Sequence, residues 1–353
     1  MSPSRLFFSA DEVYLHSALD ELRELYPDAE LRPVGPDLGS FAAEGVAIAE
    51  LATACRERPV VFVRHLFREV GSAPAAARAA ARAAGQATST SLEDVVAIAL
   101  GTWSVLPVGP AVALQVWASG DVDTPFRTDE LWHALADALT ARGTDVARGG
   151  REQILTACVT TSGIIFGLNG LSSALTDWPG GRVRLAKPKG QISRSEFKLE
   201  ELFRMGELEL PAAGIAVDLG ASPGGWTRIL RQRGLRVWAV DPAALDPRIA
   251  RDPEVHHIRT TAGDFLSTTT LKPDLIVNDM RMAAELSASV MLSASRVLKP
   301  GGLGVQTLKI APNRAMATVQ TALRMLRQEY EIVFVRQLHH NRNEVTVVLR
   351  RPV

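Results

Sequence analysis

The sequence predicts an α/β protein, with a mainly parallel sheet in its C-terminal half and smaller α+β units before it. Seven apolar runs of strand character follow one another between residues 214 and 349. Helix-compatible segments separate the earlier runs, and this alternation is typical of a parallel sheet covered by helices on both faces. Only residues 339–343 separate the last two runs. Because this gap is too short for a helical crossover, these two strands are expected to form an antiparallel hairpin.

The C-terminal half supplies every strand of the predicted parallel sheet. These strands cover residues 214–219, 235–240, 255–259, 274–277, 303–308, 331–338 and 344–349. The helices predicted between them cover residues 226–233, 283–298 and 315–328. Ligands of such sheets bind in the crevice at the carboxyl ends of the strands. We therefore expect the chemistry of this chain at that edge.

The N-terminal half predicts two α+β units. A helix over 11–26 and a strand over 59–63 indicate the first unit, which we expect to be ferredoxin-like. The second unit is indicated by helices and strands that alternate over 91–100, 111–117, 129–142 and 153–160. The Ala/Arg-rich residues 74–86 between the units are predicted to be a helix start or a flexible join. The turn-forming residues Pro179-Gly-Gly181 predict a domain boundary. The predicted domains are therefore 1–72, 73–178, a linker over 179–195, and 196–353.

Composition indicates a globular chain in a reducing setting. Hydrophobic residues make up 46% of the chain and charged residues 22%, which is ordinary for a globular protein. The first ten residues do not resemble a secretory signal, and no apolar run reaches the length of a membrane helix. The chain has only two cysteines, Cys55 and Cys158, which are too few for a disulfide framework in a fold of this size. Their spacing is not that of metal ligands. We expect a cytoplasmic protein without a metal, and we favour a monomer.

One basic stretch stands out against a balanced net charge. The chain has 39 basic and 39 acidic side chains, so total charge gives no sign of a nucleic-acid partner. A nucleic-acid site needs only one basic face, however. Five cations precede the first acid of this stretch, Glu196: Arg182, Arg184, Lys187, Lys189 and Arg194. They are candidate RNA-binding residues whose binding would weaken with salt, and the alternative interpretation is a solvated linker.

A glycine-rich loop follows the first predicted strand of the sheet. Residues 218–226 read Asp-Leu-Gly-Ala-Ser-Pro-Gly-Gly-Trp and open a helix. Glycines there let a ligand approach the backbone closely. The spacing does not fit the dinucleotide pattern, and the loop lacks the Lys-Ser/Thr of a phosphate-binding loop.

Acidic residues follow the next two strands. Asp241 ends the second strand, where a carboxylate can accept both hydroxyls of an adenosine ribose. Asp264 follows the third strand and could accept from an adenine amino group. The alternative is a tight structural turn with solvated acids at strand ends. The glycine-rich loop, Asp241 and Asp264 are all expected at one edge of the sheet, and together they favour an adenosine-containing cofactor.

Further motifs give the chain a family resemblance. Besides the glycine loop they comprise residues 193–200 (Ser-Arg-Ser-Glu-Phe-Lys-Leu-Glu), 278–280 (Asn-Asp-Met), 307–309 (Thr-Leu-Lys) and 343–345 (Asn-Glu-Val). In this order they resemble the FtsJ-like ribose 2′-O-methyltransferases, and the tail over 336–351 resembles the RlmM subfamily, which acts on a cytidine of large-subunit rRNA. The resemblance is specific over about residues 190–353. It implies a Rossmann-like class I methyltransferase sheet of seven strands, the last antiparallel, after α+β RNA-binding domains.

The resemblance also implies a catalytic tetrad. The Lys-Asp-Lys-Glu set of the family corresponds here to Lys198, Asp279, Lys309 and Glu344. A ribose hydroxyl is a weak nucleophile, so a base must remove its proton, and a lysine serves only where burial or a neighbouring cation favours the neutral amine. We expect Lys309 to be the base and Lys198 to position the hydroxyl. Taken singly, Lys198 could instead be exposed on an amphipathic helix, and Glu344 could cap an edge strand.

The cofactor implied by the resemblance is S-adenosyl-L-methionine. The expected cofactor-binding residues are Ser195, Gly220, Ser222, Pro223, Gly224, Gly225, Trp226, Asp241, Asp264 and Asp279. Ser222 replaces a cysteine that is usual in the subfamily, and the residues around Lys309 also depart from its pattern. Residues 63–67 and 160–170 resemble its THUMP region, so 73–178 is expected to be a THUMP-like RNA-binding domain. The rest of the N-terminal half diverges, which leaves the RNA target open.

Several functions remain open at this stage. The leading interpretation is methylation of a cytidine ribose in 23S rRNA by the 196–353 domain. The same chemistry on tRNA, on a cap-like 5′ end or on another RNA is an alternative. A non-catalytic RNA-binding protein that keeps the methyltransferase scaffold is a second alternative, although it would not need the tetrad. A small-molecule methyltransferase would need neither the paired lysines nor the extra domains.

Overall fold

The computed structural model describes residues 5–74, 90–211 and 213–353. It divides the chain into two compact units, Met1–Arg182 and Val183–Val353. This division falls inside the predicted linker over 179–195. The join predicted over 74–86 lies outside the described residues, apart from Pro74. The two units are described separately.

The first unit contains one mixed sheet of eight strands. The strands are β1 (Leu6–Ser9), β2 (Glu30–Gly35), β3 (Leu38–Ala42), β4 (His65–Pro74), β5 (Ala111–Ala118), β6 (Asp145–Ala147), β7 (Gln153–Val159) and β8 (Gly163–Gly170), in the order β2-β3-β1-β4-β8-β7-β5-β6. The helices are α1 (Leu15–Leu25), α2 (Ile48–Glu57), α3 (Leu92–Ser104) and α4 (Thr128–Thr140). Because β4 pairs with both β1 and β8, the two predicted N-terminal domains share this sheet. Their ferredoxin-like and THUMP-like character stays a prediction.

Most elements predicted for the first unit are confirmed, and one is wrong. The structure has the helices expected over 11–26, 91–100 and 129–142 and the strands expected over 111–117 and 153–160. Residues 59–63 form a loop rather than a strand, and residues 60–63 of this loop are buried. The backbone N–H groups of Val61 and Phe62 donate to the carboxylate of Glu21, at 2.6 and 2.8 Å. A side chain of α1 therefore takes the donors that a strand would use.

The second unit has the predicted α/β architecture. Its strands are β9 (Ile215–Leu219), β10 (Arg236–Val240), β11 (Val255–Ile258), β12 (Leu275–Asn278), β13 (Leu303–Lys309), β14 (Glu331–Arg336) and β15 (Glu344–Arg350). Its helices are α5 (Glu196–Met205), α6 (Gly225–Gln232), α7 (Pro247–Ala250), α8 (Ala262–Thr268), α9 (Ala284–Ser295) and α10 (Ala315–Leu326). Of these, α5, α7 and α8 lie outside the predicted elements.

The sheet order of the second unit confirms the predicted fold class. The strands follow the order β11-β10-β9-β12-β13-β15-β14, and β15 is antiparallel to both of its neighbours. This is a seven-stranded Rossmann-like sheet with the last strand antiparallel, and β14 and β15 form the predicted hairpin. Since β9, β10, β12 and β13 run parallel, their carboxyl ends meet at one edge. Within the described ranges, no helix combines the length and apolar character that crossing a bilayer requires.

Candidate active site

Four charged side chains of the second unit meet at the edge of the sheet formed by the carboxyl ends of its parallel strands. Lys198 comes from α5, Asp279 follows β12, Lys309 ends β13 and Glu344 begins β15. The Lys198 Nζ donates to both carboxylate oxygens of Asp279, at 2.8 and 3.0 Å, and lies 2.6 Å from Glu344 Oε1. The Lys309 Nζ lies 3.1 Å from Asp279 Oδ1 and also bonds Glu344 Oε2. The structure thus brings together the four residues expected to form the tetrad.

Strand register and one helix place these groups. Lys309 and Glu344 are direct partners in the β13–β15 pairing, so their side chains leave the sheet side by side. The helix α5 buries Leu199 and Leu202, and its first residue, Glu196, ties it to the next helix. The Glu196 carboxylate accepts from the Ile192 and Ser193 N–H groups and pairs with Arg228 at 2.7 Å. This anchoring fixes the turn of helix that carries Lys198.

Thr307 belongs to the same cluster, although it is not among the residues expected at the site. Its hydroxyl donates to Asp279 Oδ1 at 2.7 Å and accepts from the Lys309 Nζ at 2.9 Å. Residues 307 and 309 lie two apart on β13, so their side chains share one face of the sheet. That spacing is the signal that could have identified Thr307.

The cluster balances two ammonium groups with two carboxylates. Burial alone would raise the pKa of Asp279, but the adjacent Lys198 and Lys309 outweigh it and hold the pKa of this carboxyl below its ordinary value. Asp279 is therefore ionised at neutral pH. It can orient both ammonium groups at once.

A cavity of about 840 Å³ opens beside the cluster. Its lining includes Gly220, Ser222 and Asp241, together with Lys198, Asp279 and Lys309 of the cluster. The Asp241 carboxylate accepts from the backbone N–H groups of Ser222 at 3.0 Å and Ala243 at 2.8 Å. These bonds hold the carboxylate still and leave lone pairs for ligand hydroxyls.

The glycine-rich loop over 218–226 has no side chain at Gly220 and is anchored through Trp226. Gly220 has φ +74°, and a Cβ there would collide with the Met280 side chain, so only glycine fits. Trp226 is buried, and its Nε1 donates to the Ser195 carbonyl at 2.8 Å. Of the expected cofactor residues, Gly220, Ser222, Asp241 and Asp279 line the cavity. The remaining loop residues do not line it, namely Pro223, Gly224, Gly225 and Trp226.

Asp264 does not line this cavity either. Its carboxylate accepts from the Thr261 hydroxyl at 2.7 Å, and its N–H donates to the Thr261 Oγ1 at 3.2 Å, which caps the start of α8. Thr261 and Ala262 line the cavity instead. A Thr-x-x-Asp pattern after the third strand signals such a helix start. The sequence could therefore have predicted that Thr261 and Ala262, at this helix start, line the cavity.

The five cations of the basic stretch do not form one group. Arg182, in the first unit, pairs with Asp37 and donates to the Ala118 carbonyl at 3.0 Å, so it has a structural partner. Arg184, Lys187, Lys189 and Arg194 belong to the second unit and are exposed.

The buried side chain of Asp218, near the carboxyl end of β9, makes the free energy of unfolding depend on pH. It is 2% exposed and accepts from the Thr227 hydroxyl at 2.7 Å. Burial raises the pKa of Asp218 to about 7, and the nearby Asp279 and Asp241 act in the same direction. The unfolded pKa is about 3.9, so between these values the folded state binds more protons. Its contribution to the free energy of unfolding therefore falls as pH rises from about 4 to about 7.

We expect Asp218→Asn to remove this slope. Its stability relative to the original chain should increase by about 2 kcal/mol between pH 5 and pH 8. Urea unfolding at both pH values measures the difference, with Glu285→Gln on the exposed start of α9 as the control. Equal slopes for Asp218→Asn and the original chain would show that Asp218 stays ionised throughout.

The second unit combines a Rossmann-like sheet with a charged cluster and a cavity at the carboxyl edge of its strands. Residues 191–348 match the family model described as FtsJ-like methyltransferase, which confirms the resemblance for this part of the chain. The protein named Ribosomal RNA large subunit methyltransferase M of Halorhodospira halophila is 40% identical over 177 residues, covering 49% of this chain and 51% of that protein. Its namesake in Alkalilimnicola ehrlichii is 33% identical over 228 residues, covering 62% of each.

These matches are partial in length. The chain spans about half the length of the first of these curated relatives. Among solved structures, the one titled crystal structure of TrmN from Thermus thermophilus covers 98% of this chain and 99% of its own, with 15% identity and a TM-score of 0.40. The family match therefore describes the second unit, where the cluster and the cavity lie.

Proposed function

We propose that this chain is an S-adenosyl-L-methionine-dependent RNA methyltransferase that modifies a ribose 2′-hydroxyl, on a cytidine of large-subunit (23S) rRNA. The observation that carries the proposal is the cluster of Lys198, Asp279, Lys309 and Glu344 at the border of the 840 Å³ cavity. Such a cluster suits proton removal from a weak nucleophile. Adenosine binding alone would not need it.

The cavity has the groups that an adenosyl cofactor needs. The Asp241 carboxylate, held by two backbone N–H groups, would accept the ribose hydroxyls. The side-chain-free surface at Gly220 would admit the ligand close to the backbone, and the Thr261–Ala262 helix start would face its other end. When bound, the cofactor supplies a methyl group on a sulfonium, a good leaving group.

The residues of this chain then supply alignment and proton transfer. Lys309 would accept the hydroxyl proton as the general base, and Lys198 would hold the hydroxyl oxygen in place. Asp279 and Glu344 contact both ammonium groups and hold them in fixed positions at the border of the cavity.

The names of the relatives and the basic stretch support the proposed substrate. The curated relatives are named for large-subunit rRNA. Four exposed cations, Arg184, Lys187, Lys189 and Arg194, would contact phosphates, which position an RNA without reading its sequence. The first unit would recognise RNA shape as a THUMP-like module. An rRNA-modifying role fits a cytoplasmic, monomeric enzyme.

Methylation of RNA from a strain that lacks ribose methylation tests the proposal. With labelled cofactor, label should enter 23S rRNA at one cytidine ribose, and mapping the stable 2′-O-methyl position identifies it. Label in tRNA alone would favour the alternative substrate. A chain that binds both cofactor and RNA but transfers no methyl group would favour the scaffold alternative.

A further inference from the structure

A second cavity of about 420 Å³ adjoins the catalytic cluster. It shares Lys198, Arg342 and Glu344 with the larger cavity. The proposed catalytic groups therefore lie at the border between the two cavities. A transferase needs this arrangement, because donor and acceptor must reach one point from separate sites. The volume lies within the roughly 300–1,000 Å³ typical of small-molecule sites.

An aromatic pair forms part of the wall of the second cavity. The rings of Phe197 and His340 have centroids 4.9 Å apart and an interplanar angle of 31°. Phe197 and Glu201 lie one turn apart on α5, so they face the same side of the helix. The Glu201 carboxylate is buried and accepts from the N–H groups of His339 at 2.8 Å and His340 at 3.0 Å. It also lies 2.6 Å from the His340 Nδ1.

This anchoring matters for what the pair can bind. A buried carboxylate that holds both the backbone and the ring of one histidine keeps that ring in place before any ligand arrives. A preorganised aromatic surface favours stacking with another flat ring. Neither the proposed proton transfer nor the adenosine contacts use this surface.

Polar groups of the wall complement the rings. Arg194 and Arg342 are exposed and line the second cavity. The Asn341 side chain, 4% exposed, accepts through Oδ1 from the Leu338 N–H at 2.8 Å and the Thr346 hydroxyl at 3.1 Å. This fixes the orientation of the amide and leaves its Nδ2 without an acceptor among the described residues. The wall therefore combines stacking surface, positive charge and an unused donor.

We propose that the second cavity holds the base of one unstacked target nucleotide, stacked on the Phe197–His340 pair. Arg194 and Arg342 would take the flanking phosphates, and a base carbonyl would offer Asn341 an acceptor. The ribose would then lie at the border shared by the two cavities, beside Lys198. Sequence-specific RNA recognition commonly uses splayed bases stacked on aromatic side chains. The inference rests on the proposed function, of which it names the acceptor site.

Substitution of Phe197 tests the inference. A five-nucleotide oligocytidine, labelled at one end, serves as the probe in fluorescence anisotropy. Phe197→Leu should weaken its binding about tenfold, since stacking on one aromatic side chain contributes this much per base. Phe197→Trp should restore binding. In methyl transfer to a large-subunit rRNA transcript, Phe197→Leu should raise KM more than it lowers kcat, with cofactor affinity unchanged.

Phe203→Leu is the matched control. Phe203 lies on the same helix, packs under the Arg233 guanidinium at 3.8 Å and does not line the second cavity. Equal losses in both variants, or no rescue by tryptophan, would overturn the inference in favour of a structural role for Phe197. If the original chain transfers no methyl group yet binds the probe in a Phe197-dependent way, the proposed function fails while the nucleotide site stands. Probe binding that is indifferent to Phe197 overturns the site itself.

Discussion

Replacing Lys309 by alanine is expected to lower the rate of methyl transfer to RNA about a thousandfold, because a positioned general base contributes roughly 10²–10⁴-fold. Cofactor affinity should change little, since Asp241, Gly220 and Thr261 line the cavity independently of this side chain. Lys198 keeps its contacts with Asp279 and Glu344, so one ammonium group still holds the two carboxylates together. Single-turnover transfer from labelled cofactor measures the rate, and calorimetry measures cofactor affinity.

A second substitution separates proton transfer from electrostatics. Lys309→Arg keeps the positive charge, but a guanidinium does not give up its proton in a protein. We therefore expect Lys309→Arg to be nearly as slow as Lys309→Ala. An active arginine variant would mean that residue 309 supplies charge rather than a base. Lys299→Ala is the control, because Lys299 pairs with Asp274 at 2.6 Å and does not line the cavity.

The architecture of the second unit was largely predictable from sequence. Its strands are short apolar runs bounded by turns, and the alternation with helices fixes a parallel sheet. Parallel strands end at one edge, which is why Asp279 and Lys309 could be expected near each other. The β13–β15 pairing completes the cluster by placing Glu344 opposite Lys309. Local pattern and topology together suffice for this part of the site.

What could not be predicted depends on contacts between distant residues. The loop over 59–63 has the composition of a strand, but Glu21 lies 40 residues before Val61 in sequence and binds its N–H. Arg182 belongs by composition to the basic stretch, yet its partner Asp37 lies 145 residues away. In both cases a hydrogen bond to a residue distant in sequence decides the role of a residue whose type alone allows two.

Asp279→Asn is expected to have the second large effect, on both activity and stability. The carboxylate contacts Lys198, Lys309 and Thr307, so its loss leaves two ammonium groups sharing only Glu344. Removing one partner of a buried charge cluster costs about 3 kcal/mol of stability. The displaced lysines should lower methyl transfer about a hundredfold or more, as small misplacements of catalytic groups do.

The stability loss should depend on pH in a defined direction. Because the lysines hold the folded-state pKa of Asp279 below its ordinary value, its contribution is fully present above about pH 4 and is lost as pH falls through the folded pKa. Urea unfolding should therefore show a constant gap between the original chain and Asp279→Asn at pH 5 and pH 7, and a smaller gap at pH 3.5. The control is Asp274→Asn, at the opposite end of β12, where a more exposed pair with Lys299 contributes at most about 1 kcal/mol. Wild-type stability and wild-type transfer in Asp279→Asn would together show that the four side chains do not act as one catalytic unit. The proposed chemistry requires that they do, because the two carboxylates hold both ammonium groups in place at the border of the cavity.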